Sequence, residues 1–476
     1  MDQLTDAVVV GSGPNGLAAA ITLAKAGRKV TVLEANDTIG GAARSAELTE
    51  PGFIHDLGSA IHPMVKASPF FKSIYSELES HGLEWTLPPA AAAHPLDGGR
   101  AGIAWNDLDR TVDSLGMDGE AYRDFYEPTI ANIDAVMDTV LKPLLRVPQH
   151  PVAAVRFGVP AALPAATTAK RWKTPEAQAL FAGHAAHAIL PLTSPFTSFF
   201  GLLLGAMSHS HGWGFPTGGA QSLINAMAAL LEDLGGEIIT GRRVESLDDI
   251  PPTKATVLAL SPRQVSAILG DQAPDRYRKS LANFRYGPGA CKVDLALSEP
   301  IPWTHPDVAS AGTVHLGGTL EEIVEAEQTV ADGKHADAPF TLLAQHTMFD
   351  PTRAPTGKHT VWAYCHVPNG STVDQSEAII AQIERFAPGV RDVIIASHTS
   401  LTPALEAANA NLIGGDIGGG SYSGRQLIFR PRPQANPFTT PLDSVFIASA
   451  STTPGAGVHG MSGAGAATHL LATVLS

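Results

Sequence analysis

The sequence predicts an α/β protein built from discontinuous domains, and three observations predict it. The first is a β-branched apolar run over 7–10 that meets a glycine turn, passes into an Ala/Leu-rich amphipathic stretch and continues into a second apolar run over 30–33. The second is a mostly helical pattern over 67–211, interrupted by prolines at 88–89, 148–151 and 160–164. The third is a set of β-rich runs over 285–405, separated by Pro, Gly and Asp turns and followed by another strand, glycine turn and helix near the C-terminus.

The first unit reads strand, glycine turn, helix, strand, and each part has a physical use. Gly11 permits the tight turn out of the strand, Gly13 lets a diphosphate approach the backbone, and Gly16 lets the helix pack closely on the strand. A diphosphate placed there meets free N–H groups and the positive end of the helix dipole. Glu34, closing the second strand, is placed to accept hydrogen bonds from a ribose diol and to repel a 2′-phosphate, so FAD or NAD is expected rather than NADP. A purely structural βαβ unit is the alternative. Ile39, Gly40, Gly41, Ala42, Ala43, Arg44 and Ser45 follow directly, a second glycine pair with a cation. This resembles the GG-x-x-R extension of FAD-dependent amine oxidases and phytoene desaturases, which favours FAD over NAD.

Composition sets the outer limits. At 476 residues, with 44% hydrophobic and 16% charged residues, the chain is long enough for two or three domains with substantial cores. A net charge of −14 without a clustered basic surface argues against nucleic acid. Cys291 and Cys365, far apart in sequence and in no metal or dithiol spacing, read as inert core thiols of a reducing compartment. The acidic start, Met1, Asp2, Gln3, Leu4, Thr5 and Asp6, leads straight into a strand, so no signal peptide is expected. The longest apolar run, 196–207, is too short to span a bilayer. The expectation is a soluble, cytoplasmic protein, with peripheral membrane contact and oligomeric state left open.

The middle of the chain offers candidates. Residues 51–63 read as a strand and glycine turn returning toward the cofactor through Gly58 and Ser59, with His62 close behind. His184 and His187 lie three apart on an Ala-rich helix; without HExxH or an acidic partner no metal is expected, and both are candidates for lining a cavity as proton carriers. A helix over 221–234, ended by Gly235 and Gly236, leads into strands at 237–240 and 255–260, which read as further pieces of the nucleotide sheet. Beyond it, strands are expected at 291–297, 312–316, 340–348 and 359–367, with helices at 319–330 and 374–386. No second glycine fingerprint with an acid behind it supports a separate NAD(P)H domain.

The C-terminal signal begins with a flexible glycine turn over 414–420 and the run 425–433. A strand over 445–450 then delivers the Gly/Pro-rich turn 451–461 into an Ala-rich terminal helix. Such a turn presents N–H groups suited to ribityl and flavin oxygens.

Taken together, VVVGSGPNGLAAA with Glu34 and IGGAARS, LFAGHAAHAILPL, GWGFPTGGAQSLINAMAALLEDLGGEI, DPTRAPTGKHTVWAYCHVP, and QLIFRPRP through STTPGAGVHGMSGAGAA resemble the FAD-dependent phytoene desaturase-like oxidoreductases from end to end. The pattern is similar to that of the branch that includes pyridine nucleotide-disulfide oxidoreductase domain-containing protein 2. The resemblance implies a glutathione-reductase-type, Rossmann-like FAD domain (1–66, 212–284 and 406–476), a helical cap (67–211) and a mixed substrate-domain sheet (285–405) around an apolar cavity. Carried onto this chain, Gly11, Gly13, Pro14, Asn15 and Gly16 would face the diphosphate, Glu34 and Ala35 the ribose, and Val244 the adenine. Gly41, Ala42 and Arg44 would serve the diphosphate and ribityl side, Gly58, Ser59 and Ala450 the cofactor, and Gly457 and Val458 the flavin. Departures from the family pattern are Ser449, Thr453, Ala456 and the stretch Gly419, Gly420, Ser421, Tyr422.

The function expected is hydride transfer from a largely apolar small molecule to FAD, with His62, His184, His187 and His459 as candidate proton carriers. A redox-neutral isomerase or saturase on the same scaffold, and an FAD-bound interaction or assembly protein with little turnover, are the alternatives.

Overall fold

A computed structural model describes residues 5–143 and 147–476. The acidic start over 1–4, and the part of the expected helical stretch at 144–146, lie outside the described residues. The valine-rich strand Thr5–Val10 is buried along most of its length, as suits the middle of a parallel sheet covered on both faces. It pairs with Val30–Leu33 on one side and Thr253–Leu258 on the other; Glu237–Ile239 and Val445–Ile447 complete a five-stranded, all-parallel sheet. Three distant pieces of chain therefore build one nucleotide-type sheet.

Two helices lock those pieces together. Pro14–Lys25 has proline in its first turn, which fits because that N–H has no helical partner. It packs against Met461–Thr473 so closely that a Cβ on Gly463 would lie 1.8 Å from the Asn15 carbonyl oxygen. Glycine at 463 thus sets how near the C-terminal turn comes to the N-terminal one.

The second sheet has seven strands in the order Ile394–Ser400, Gly289–Leu297, His359–Val367, Thr341–Ala344, Ala311–Leu316, Ala90–Leu96, Arg100–Trp105. Its pairs are antiparallel except Ala311–Leu316 with Ala90–Leu96. Two of these strands correct the sequence reading, since Ala90–Leu96 and Arg100–Trp105 fall inside the stretch expected to be helical. Four consecutive alanines favour a helix, but Pro88 and Pro89 before them and the Gly98, Gly99 turn after them bound a short run, and full burial in the sheet overrides the propensity. The expected strand at 340–348 is shorter, ending at Ala344 before a 3₁₀ turn at His346–Met348. Cys291 and Cys365, distant in sequence, stand directly opposite each other on neighbouring strands as free buried thiols.

The remaining layer is helical. Gly119–Ile130, Pro151–Ala161, Pro175–Ala186 and Thr197–Ser210 pack around Tyr122, Tyr126, Trp172 and Phe181. Small residues let them approach: a Cβ on Gly205 would fall 2.4 Å from the Tyr126 ring, and one on Gly183 would fall 2.7 Å from His315 Nδ1. That second contact seats Pro175–Ala186 on the mixed sheet, and His187, just past the end of the helix, lines the cavity. Among the described residues no helix is long and apolar enough to cross a membrane.

Candidate active site

One end of the site is made of backbone. Gly11 has φ of +100° and its N–H donates to Leu33 O at 2.8 Å, while a Cβ on Gly16 would lie 1.9 Å from the Gly11 oxygen. Gly41, at φ +59°, faces Gly13 so closely that a Cβ would come 3.1 Å from the Gly13 Cα. A Cβ on Gly58 would meet Ala42 O at 2.4 Å, where the Ser59 N–H already donates at 2.9 Å. These loops converge without side chains in the way, and Gly11, Gly13, Pro14, Asn15, Gly16, Gly41, Ala42, Gly58 and Ser59 all line a common cavity of about 440 Å³. Asn15 Oδ1 is buried there without a hydrogen-bond partner among the described residues.

Glu34 anchors the far corner of this cradle. Its Oε2 accepts from Ser12 N at 3.0 Å and Ser12 Oγ at 2.5 Å, and its Oε1 accepts from Asn36 N at 2.9 Å and Asn36 Nδ2 at 3.1 Å. The carboxylate is thereby oriented at the cavity wall beside Ala35 and Val244, which also line it. Arg44 behaves differently from the sequence reading. Its guanidinium donates to Gly41 O, Thr38 Oγ1 and Ala408 O at 2.9, 3.1 and 2.6 Å, and the residue is not among those lining the cavity. Three local acceptors draw the cation inward, where it ties the glycine loop to the end of the helix Thr402–Ala408.

The C-terminal turn faces the cradle. Ser449, Ala450, Ser451, Gly457 and Val458 line the cavity. Val458 has φ of +51°, an uncommon conformation for a β-branched residue and one that marks a constrained turn. The glycine turn at 414–420 is not flexible as expected. The buried Asp416 carboxylate accepts from the N–H groups of Gly287, Gly418 and Gly420 at 2.8, 2.7 and 2.7 Å, and Arg430 donates to Gly419 O at 2.6 Å.

Away from the cradle the wall is aromatic and aliphatic, with Ile61, Met64, Ile189, Phe200, Leu204, Trp213, Leu342, Trp362, Tyr364 and Tyr422. Three polar side chains interrupt it there: His187, Lys292 and Thr313. His187 Nε2 lies 3.0 Å from His315 Nε2, so the pair shares one proton. Burial brings His187 down to about 3 and holds His315 well below its usual range, so both rings are neutral at pH 7. Lys292 is ion-paired with Asp294, and burial pushes the lysine down and the aspartate up.

The other histidine candidates do not reach the cavity. His62 is buried beside Trp85 with neither ring nitrogen hydrogen-bonded among the described residues, while its neighbours Ile61 and Pro63 line the wall. His184 lies one helical turn behind His187 and donates from Nδ1 to Leu180 O at 2.8 Å. His459 caps the terminal helix: its Nδ1 accepts from Met461 N at 3.0 Å and its Nε2 donates to Gly455 O at 3.0 Å. Both its nitrogens are engaged in these bonds.

Lys292 and His315 were not singled out from the sequence, yet a signal exists. Lys292 and Asp294 share one face of an otherwise apolar strand, and His315 interrupts the fully buried strand Ala311–Leu316. A charged or imidazole group at a core-facing strand position calls for a partner or a cavity.

A dinucleotide-type cradle facing a largely apolar cavity is the scaffold of a cofactor-dependent oxidoreductase. The chain belongs to the flavin-containing amine oxidoreductase family, which matches it over residues 15–471. FAD is the cofactor, and the residues present fit it: an acid, Glu34, at one corner, glycine loops free of side chains along the wall, and the C-terminal turn facing them. The chain is 24% identical to pyridine nucleotide-disulfide oxidoreductase domain-containing protein 2 of Rattus norvegicus, over 97% of this chain and 92% of that protein. It is 26% identical to a lycopene-forming phytoene desaturase of a Paracoccus species, over 97% of this chain and 96% of that one. The crystal structure of an oxidoreductase from Methanosarcina mazei shares the fold with a TM-score of 0.64 at 17% identity, covering 98% of this chain and 99% of that one.

Proposed function

We propose that this chain is an FAD-dependent dehydrogenase or desaturase that takes a hydride from a C–H bond of a largely apolar, uncharged small molecule. The observation that carries this reading is the chemistry of the cavity wall. Among the described residues lining it, the sole carboxylate is Glu34, at the adenosine end, while Lys292 stands at the apolar end. A protonated amine there would meet a lysine whose own carboxylate partner is already engaged and no further lining acid, whereas a hydrocarbon would meet aromatic faces.

FAD, when bound, supplies a hydride acceptor. The chain does the rest. The aromatic wall binds and orients an apolar substrate and excludes water. His187, neutral and paired through Nε2 with His315, is placed to take a proton from the substrate when a double bond forms. Lys292, also on the cavity wall, holds a proton with Asp294 as its partner. The phytoene desaturase name of one relative agrees with an apolar substrate.

Anaerobic titration of the FAD-loaded protein with isoprenoid and other apolar candidates tests this. Bleaching of the flavin absorbance by an apolar substrate supports it. Product without net bleaching would make the chain a redox-neutral isomerase, and bleaching by amines alone would overturn the substrate class.

A further inference from the structure

We propose that the side-chain amide of Asn409 donates to the diphosphate of FAD, a neutral group making the contact while the nearby cation Arg44 stays behind it. The contact serves the cofactor and holds whatever the substrate is.

Residues 408–411 form a strap beside the glycine loops, at the end of the helix Thr402–Ala408. Arg44 Nη2 donates to Ala408 O at 2.6 Å, Gln264 Nε2 donates to Ala410 O at 3.1 Å, and Ser261 N–H donates to Asn411 Oδ1 at 2.8 Å. Partners that follow two strands of the parallel sheet, Val30–Leu33 and Thr253–Leu258, therefore grip the strap from separate pieces of chain.

Asn409, in the middle of it, has one group left over. Its N–H donates to Leu405 O at 3.0 Å, its carbonyl accepts from Leu412 N–H at 2.9 Å, and its Oδ1 accepts from Asn411 N–H at 3.1 Å. Only the amide oxygen can accept from an N–H, so the last of these bonds fixes which way the amide points. Nδ2 is thereby turned to the glycines. It lies 3.8 Å from the place a Cβ would take on Gly41, and that same place is 3.1 Å from the Gly13 Cα. Asn409, Gly13 and Gly41 all line the cavity.

An amide N–H₂ aimed at two bare glycines suits an anion. A diphosphate offers acceptors only, and loops without a Cβ let backbone N–H groups reach it from the other side. Ribityl hydroxyls would call for acceptors as well as donors, and Asn409 Oδ1 is already engaged. Arg44, the cation of the same loop, is not on the cavity wall; Gly41 O, Thr38 Oγ1 and Ala408 O hold its guanidinium. Its part is to fix the strap, and the amide makes the contact.

Titration of the apoprotein with FAD, followed by quenching of flavin fluorescence, tests this through binding and needs no turnover. Asn409→Ala should weaken FAD about tenfold and Asn409→Asp about a hundredfold. The order decides. Aspartate keeps the shape and the acceptor for Asn411 N–H, so a purely structural role makes Asn409→Asp the milder change, whereas a side chain that faces the diphosphate makes it the more severe. ADP, competing with FAD, should rank the three proteins in the same way, and riboflavin should bind all three alike. That comparison also reads a variant whose melting temperature has fallen, because a distorted strap would not single out the phosphate-bearing half of the cofactor. Wild-type FAD affinity in Asn409→Ala, a milder effect in Asn409→Asp, or a ranking followed by riboflavin and not by ADP would each overturn the proposal.

Discussion

The two ends of the cavity are built from different materials. The nucleotide end is backbone: bare glycines at 11, 13, 16, 41 and 58 bring loops together, and a carboxylate fixed by Ser12 and Asn36 closes the corner. The apolar end is side chains from a helical layer and a mixed sheet, with a histidine pair and a buried ion pair as its polar features. A site made of backbone tolerates few sequences, because at Gly16 and Gly58 an added Cβ would fall within 2.4 Å of a backbone oxygen and at Gly11 and Gly41 the backbone has positive φ. A site made of side chains can be rebuilt with other side chains, so one scaffold can keep its cofactor and change its substrate.

Acid should separate the two ends most strongly. His184, His187 and His346, held near 3 by burial, and His62, held near 4, are kept neutral inside the protein, and His187 among them lines the apolar end. Their folded pKa values lie below the unfolded value of 6.5, so the unfolded chain binds more protons in that window. Stability is therefore complete above pH 6.5 and falls as pH drops toward 4, by up to about 1.4 kcal/mol per pH unit for each histidine. Urea midpoints measured from pH 8 to pH 5 check this, and a flat profile would mean that the apolar end is wet.

The ion pair tests the same dryness by mutation. Lys292→Met leaves the Asp294 carboxyl buried without its partner and should destabilise the protein by about 3–5 kcal/mol, with much of the loss recovered in Lys292→Met/Asp294→Leu. Chemical denaturation of the single and double variants reads the difference. At the other end, Gly463→Val drives a side chain into the Asn15 carbonyl and should lower stability by about 3 kcal/mol while releasing FAD, which flavin absorbance per chain would show. Smaller still, Glu34→Gln keeps the shape and removes the charge; FAD affinity should fall about tenfold to a hundredfold in a fluorescence titration, with substrate turnover at saturating FAD little changed. A turnover defect there would blur the division between the ends.

That division also explains what could be read in advance. The glycine fingerprint, Glu34 and the C-terminal turn were legible because backbone geometry restricts residue type locally, within a few positions of sequence. Ala90–Leu96 was not, since its alanines say helix until the sheet around them is known. The local partners of Arg44 and His459 were not legible either: residue type suggests a cofactor contact for one and a proton carrier for the other, while nearby carbonyls and an N–H group engage both side chains. Lys292 and His315 come together with the cavity and its histidine only through pairings across long stretches of chain. No local pattern reports that.

Flavin reduction in the FAD-loaded His187→Asn variant, followed anaerobically beside the wild type with an apolar substrate that bleaches the latter, tests the central claim most directly. The account predicts unchanged flavin content and a reduction rate at least about a hundredfold slower, the range for loss of a positioned proton acceptor. Reduction at the wild-type rate, or loss of the flavin itself, would contradict it.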